Sequence, residues 1–439
     1  MTISIKAPVT VLAAALSLSA CGHLLDVNNP NNLVESSIES PAAAAAVVNG
    51  SQALVTEAVG NIWAPYEVAT DEFTWIGSRD AWGSLDNGFV SDPSNEFTDA
   101  AYPSIAQARW MADKAVSILE GHVSDGTPGA PALLAKAHLY AGIIYMVVGE
   151  VQQDFTISDK REAGPPIGPD QMYTMLDQAI THLDAAISGG DADIKMEAMA
   201  VRARAKASRA IWDKIKPSPN TGDPLVKSAS AAADAQAAID MAGGATADWN
   251  FNVHYSASTV GNDFAFESNS RKEHQVDTHL VNLDAANDIV SIAIDDPIDG
   301  GADPAFQKRL EIFKNGAFDS QGDRYSPNTL ASTRLLHLII AEDALANSDM
   351  TKFAQEINYV REMDGLSDYT NQMPAMDMLK YERQVNTWGM GLRLSDMYRF
   401  GIQDALWSDV SDAYKAPGTL LPITLVEVRA NCYLNGLGC

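Results

Sequence analysis

Apolar positions along this chain fall into a few long runs with helical period, separated by stretches where aromatics stand among Gly, Asn and Asp. The first run, Ala7 to Ala20, carries no charge and follows Lys6. The next opens at Pro41 behind Ser40, and serine before a proline at the first helical position predicts a helix over 41–60. Asn61–Asp99 loses the period and reads as long loops and short helices. From Pro131 the helical period returns in pairs: Ala132–Glu150 with Asp170–Ser188, Met196–Lys214 with Pro224–Met241, and Ser332–Asn347 with Met350–Glu362. Between the second and third pairs, Ala245–Tyr325 sets Trp249, Phe251, Tyr255, Phe264 and Phe266 among polar residues and reads as an insertion.

The second helix of each pair repeats one spacing: Ala179-x3-Leu183-x2-Ala186, Ala231-x3-Ala235-x2-Ala238 and Ala354-x3-Asn358-x2-Arg361. Small residues there let two helices approach while a bulky one fills the next turn, as in tetratricopeptide-type repeats. The expected fold class is all-α, with tetratricopeptide-like pairs framing the molecule at 131–241 and 332–401 and long loops at 61–99 and 245–325 displayed on them.

The N-terminal run is too short to span a bilayer, which takes about 20 apolar residues, and no second run of that length is apparent. It ends in Leu18-Ser19-Ala20-Cys21, a signal peptide with a bacterial lipobox. Residues 1–20 are expected to be removed, Cys21 to carry lipid, 21–40 with Asn28-Asn29-Pro30-Asn31-Asn32 to act as a flexible tether, and 41–439 to form one domain. Gly22 after the cysteine resembles lipoproteins passed to the outer membrane. Charge sharpens the picture: 30 Lys+Arg against 57 Asp+Glu give −27, which repels nucleic-acid phosphates and excludes nucleic acid as a partner. Cys432 and Cys439 bracket a turn-forming segment with Asn435-Gly436 and are expected to pair in an oxidising compartment, metal binding by the two thiols being the alternative.

The chain has no His-Glu-x2-His, Gly-x-Ser-x-Gly or Gly-x4-Gly-Lys, and Gly389-x-Gly391 lacks the strand and third glycine of a dinucleotide loop. His274-x4-His279 with Glu273 and Asp277 reads as solvated loop rather than metal site. Asp295, Asp296, Asp299 and Asp303 around Gly300-Gly301 offer oxygen ligands suited to calcium without EF-hand spacing, the plainer reading again being solvated loop; no other cofactor is indicated. A binding site is better supported. Trp63, Tyr66, Trp75 and Trp82 share one stretch with Asp71, Arg79 and Asp80, and flat rings beside carboxylates and a guanidinium suit sugar recognition. Trp75 and Trp82, beside Gly77 and Gly83, are the candidates for display, whereas Trp63 and Tyr66 equally suit a helix core.

Leu335-Leu336-His337-Leu338-Ile339-Ile340-Ala341-Glu342-Asp343-Ala344, then Ala354-x3-Asn358-x2-Arg361, Tyr381-Glu382-Arg383, Leu392-Arg393-Leu394-Ser395-Asp396-Met397-Tyr398-Arg399-Phe400, and Leu421-Pro422-Ile423 with Glu427 follow one another in order. This series resembles the SusD/RagB nutrient-uptake lipoproteins. It departs from them at Trp388-Gly389-Met390-Gly391-Leu392-Arg393, where the family has Glu-Gly-x-Arg, and at Phe97-x4-Tyr102-x2-Ile105-x2-Ala108-Arg109, which marks a divergent branch. The resemblance implies a surface-exposed outer-membrane lipoprotein, held by lipid on Cys21, that captures a glycan or other oligomeric nutrient without catalysis. It would act as the lid of a TonB-dependent, SusC-like barrel transporter. By their helical spacing Glu382, Arg383, Arg393, Asp396 and Arg399 read as a structural charge network. The alternatives from other classes are a lipid-anchored helical-repeat enzyme such as a glycoside hydrolase, and a protein-interaction scaffold.

Overall fold

Helix boundaries follow from side chains that satisfy the first free amides of each helix. Asn95 accepts from the amides of Phe97 and Thr98, Asp191 from Ile194, Asp303 from Phe306, Ser332 from Leu335 and Asp349 from Lys352. The computed structural model describes residues 35–159 and 162–439, so the lipobox, Cys21 and most of the expected tether lie outside the described residues. The chain divides into two units, 1–44 and 45–439. Within the first, Glu35–Ile38 is one helical turn and Pro41–Ala43 a short 3-10 turn.

From Ala44 onward the elements are α1 (Ala44–Val68), β1 (Phe73–Trp75), α2 (Asp80–Asp86), α3 (Glu96–Ser124), α4 (Ala130–Val151), α5 (Tyr173–Gly189), α6 (Ala192–Ile215) and α7 (Ala229–Met241). The insertion follows, with β2 (Asn250–Val253), β3 (His274–Val276), β4 (Val281–Leu283), β5 (Ile289–Ile292) and α8 (Pro304–Lys314). The chain then returns through β6 (Asn328–Ser332) to α9 (Thr333–Ala346), α10 (Met350–Glu362), α11 (Ala375–Thr387) and α12 (Arg393–Phe400). The fold is predominantly helical, and its strands are short antiparallel pairs: β1 with β3, β2 with β6, and β4 with β5.

Each helix from α3 to α7 packs on its predecessor, and α9 packs on α7, so the third pair continues the stack as though the insertion were absent. Helix α4 shows how close the packing is: a methyl group at Gly142 would lie 2.5 Å from Leu183, the bulky residue of the α5 spacing. By length and composition α4 is apolar enough to cross a membrane, contrary to the sequence reading. In this fold 72% of its most apolar window is buried inside the stack, as in a core helix.

Two further expectations are corrected. The region 61–99 is largely helical at its ends. Gly60 and Asn61 resemble a stop signal, yet α1 continues to Val68, because Gly60 is where Asn262 and Tyr255 of the insertion press against the helix. Helix α3 begins at Glu96, and the Phe97-to-Arg109 pattern lies along it. Second, the aspartates read as solvated loop, with calcium as the alternative, are committed to the protein. Asp296 binds the buried Arg361 at 2.8 and 3.0 Å, Asp299 accepts from the Ser367 amide at 2.7 Å, Asp303 caps α8, and Asp295 sits in a bridge to Ala302. Among the described residues no group of three or more His, Cys, Asp or Glu is arranged to hold a metal ion.

The C-terminal charges divide into separate clusters. Arg383 binds Asp396 at 2.7 Å, Asp396 binds Arg399 at 2.8 Å, and Arg399 reaches Glu342 of α9. Glu382 pairs instead with Arg361 at 3.0 Å, and Arg393 leaves the set for Asp71. All five are buried, where an unpaired charge would cost several kcal/mol. Cys432 and Cys439 form a disulfide with Cα atoms 4.9 Å apart.

Candidate functional site

The chain entering the site is fixed by acids near the end of α1. Glu67 accepts from the Gly391 amide, Glu72 from the Gly389 amide at 2.8 Å, and Asp71 takes two bonds from Arg393 at 2.6 Å each. Beyond them β1 pairs with β3, Trp75 opposite His274. Glu273 then gathers the loop that follows. Its carbonyl accepts from Ile76 and Gly77 at 2.9 Å, and its carboxylate from the amides of Ser78 and Arg79 at 3.0 and 3.1 Å. A Cβ at position 77 would lie 2.1 Å from that carboxylate, so glycine is required there.

With its backbone pinned, Arg79 sends its guanidinium to Glu267 at 2.5 Å and to within 3.5 Å of Glu273. The same group lies 4.3 Å over the Phe97 ring, and Phe97 stacks on Trp82 with centroids 3.7 Å apart and planes 6° from parallel. Each such contact contributes roughly 0.5–1.5 kcal/mol. The stack belongs to an open cleft of about 310 Å³, lined also by Asn61, Ala64 and Pro65 of α1, Glu96, Ala100 and Ala101 of α3, and Asp263 and Glu267 of the insertion.

Burial raises the Asp263 and Glu267 carboxyls against the pull of Arg79. Burial also pushes Glu273 upward, but the Arg79 and Ser78 amides outweigh it and hold that carboxyl below its usual range. His274, fully buried at the start of β3, is pushed down to about 3 by burial and by Arg79. The Ser268 hydroxyl donates to the Phe264 carbonyl, so it accepts from His274 Nδ1, and the imidazole is neutral with its proton on that nitrogen. His274 and Glu273 are therefore buried structural groups, where the sequence reading placed solvated loop.

Of the sequence candidates, only Arg79 and Trp82 line the cleft. Trp82 is not displayed; it is 2% exposed and stacked on Phe97. Trp75 is half-buried because its ring packs onto Gly83, where a Cβ would sit 2.6 Å from it. Trp63 and Tyr66 are core residues, Trp63 against Gly391 and beneath the Arg204 guanidinium, Tyr66 bonded to Ser395 at 3.4 Å. Asp71 is spent on Arg393, and Asp80 is exposed in the first turn of α2. Sequence reasoning missed Asn61, Glu96, Phe97, Asp263 and Glu267. The last two carried a usable signal: two carboxylates one helical turn apart behind Asn262, inside the aromatic insertion.

No protein-family model and no curated protein matches this sequence. Solved structures do match in shape. A SusD homolog from Bacteroides thetaiotaomicron superposes with TM-score 0.63 at 12% identity, over 91% of this chain and 98% of that one. A SusD superfamily protein from Parabacteroides distasonis gives 0.61 at 12%, over 91% and 98%. A SusD-like carbohydrate binding protein from Bacteroides vulgatus gives 0.50 at 12%, over 82% and 83%. The molecule therefore has a SusD-like fold, a helical scaffold built on tetratricopeptide-like pairs.

Proposed function

We propose that this chain is a nutrient-binding lipoprotein of the outer membrane that captures a saccharide in the cleft beside Arg79, Phe97 and Trp82. It hands the ligand to a TonB-dependent barrel transporter, over which it acts as a lid. The observation that carries the reading is a cleft walled by an aromatic stack and rimmed by hydrogen-bonding groups, on a fold matched along nearly the whole chain. The Phe97 ring gives apolar contact to sugar C–H groups, while Asn61, Glu96 and Asp263 meet hydroxyls. Binding and release need no covalent step, so lid opening is a shift between two states biased by ligand.

Purification from native membranes in mild detergent tests it. A large barrel protein is expected to accompany the chain, and recovery of free monomer alone would overturn the lid role. In calorimetric titration with neutral and charged oligosaccharides, Phe97→Ala is expected to weaken binding about tenfold, equivalent to about 1.4 kcal/mol. Turnover of a bound oligosaccharide, abolished by Asp263→Asn, would replace the binding reading with a glycoside hydrolase.

A further inference from the structure

Asn435-Gly436, the turn between the two C-terminal cysteines, carries chemistry that nutrient binding does not use. Asparagine followed by glycine can close on itself: the glycine amide nitrogen attacks the carbonyl carbon of the asparagine side chain, and no side chain on the glycine obstructs the approach. The chain has four such dipeptides, Asn49-Gly50, Asn87-Gly88, Asn315-Gly316 and Asn435-Gly436, and their sequence alone does not rank them.

The fold does rank them, because attack requires a glycine amide that is not already donating. Gly50 lies inside α1, where its amide belongs to the helical ladder. The Gly88 amide donates to the Leu85 carbonyl at 2.8 Å, and the Gly316 amide to the Glu311 carbonyl at 3.1 Å. The Asn87 and Asn315 side chains are held as well, donating to the Gly83 carbonyl and to Asp323. At these three places the backbone must open locally before reaction, which lowers the reactive fraction. Gly436 differs: it is exposed, sits at φ 75°, and its amide donates to no group among the described residues. Asn435 Oδ1 accepts from the Leu437 amide at 2.8 Å, which folds the carboxamide back along the turn toward the intervening Gly436 nitrogen and polarises its carbonyl. The leaving nitrogen, Nδ2, has one long bond, 3.4 Å to the Arg429 carbonyl.

We infer that Asn435 is a site of spontaneous deamidation in the folded protein, and the fastest of the four. The Gly436 nitrogen gives up its proton and bonds to Asn435 Cγ, the Cγ–Nδ2 bond breaks, and Nδ2 leaves as ammonia with that proton. Water then opens the five-membered imide at one carbonyl or the other, giving aspartate or isoaspartate. Either product adds one negative charge to the loop closed by Cys432 and Cys439.

Incubation of the full folded chain, disulfide intact, in heavy-oxygen water at mildly alkaline pH, followed by peptide mass mapping, tests it. Asn435 is expected to deamidate about tenfold faster or more than Asn49, Asn87 or Asn315, and its product to carry one heavy oxygen, with the isoaspartyl form detected by enzymatic methylation. In the same chain reduced and unfolded in urea, the four rates are expected to converge. Asn435→Gln is expected to abolish the signal in the C-terminal peptide and leave the other three rates unchanged. Deamidation of the folded chain at any of the other three as fast as at Asn435 overturns the inference, as does an intact Asn435 in the folded chain when the unfolded chain reacts there. Rates that stay tenfold apart after unfolding also overturn it, because local sequence rather than the free Gly436 amide would then set the order.

Discussion

Glu67 and Glu72 are the most constrained side chains near the site. Both are buried, each accepts a backbone amide from the Gly389–Gly391 turn more than 300 residues away, and each keeps one buried carboxyl oxygen without a hydrogen-bond partner. Two buried carboxyls that raise one another do not both ionise readily, so the pair keeps a proton between them. Burial raises Glu67 to about 7 and Glu72 well above its ordinary value, the latter further lifted by Glu67. The folded state therefore keeps protons that the unfolded chain has released. Stability from this pair is full below the ordinary carboxylate range and falls as pH rises from there through about 7 and beyond. Glu67→Gln supplies the shared hydrogen permanently, so urea titrations from pH 5 to 9 should show a shallower decline than wild type; an unchanged slope would refute the shared proton. These acids show what single residues in the sequence concealed. Trp75 and Trp82 beside glycines suggested exposed, pliant loops. Instead Gly83 is the seat of the Trp75 ring and Gly77 the seat of Glu273, because a missing side chain serves close approach as readily as flexibility.

Among the secondary-structure elements, the repeat spacing was legible because it is local: small residues one turn apart reveal where two helices touch, and α5, α7 and α10 follow from it. The reciprocal surface was not legible, since glycines on α4 look like weak helix formers until Leu183 and Leu176 are seen to enter them. Two substitutions separate these effects. In an open helical position alanine gains roughly 1 kcal/mol over glycine. Gly121→Ala on exposed α3, with nothing within 4 Å of the new methyl, should raise the melting temperature. Gly142→Ala meets Leu183 at 2.5 Å, and overpacking of about 1–3 kcal/mol outweighs the propensity gain, so it should lower it. If both variants melt higher than wild type, the α4–α5 contact is looser than the geometry requires. Helix α3 escaped the sequence reading because Pro103 interrupts its early turns and its aromatics sit among polar residues, yet it supplies Phe97, the central ring of the site.

Taken as one body, the cleft joins α1, α2 and α3 to an insertion entering some 200 residues later, which is why no local pattern announced it. The two regions marked as loop-rich do converge there, but they contribute ordered helices and a short sheet rather than pliant display loops. An ordered cleft leaves motion to the whole molecule, and this gives the proposed lipid on Cys21 a mechanical role. Under the lid reading, a protein confined to the membrane by its acyl chains re-encounters the same barrel at an effective concentration set by the tether, whereas a released one must find it by diffusion. Cleft affinity is a property of α1, α2, α3 and the insertion and should not depend on the anchor. Cys21→Ser is therefore expected to release the chain from membranes, leave the calorimetric affinity of the purified protein unchanged, and reduce ligand uptake by cells at least severalfold. Uptake equal to wild type in the released variant would show that capture and delivery do not require anchoring, and would sink the lid mechanism even if the binding site stands.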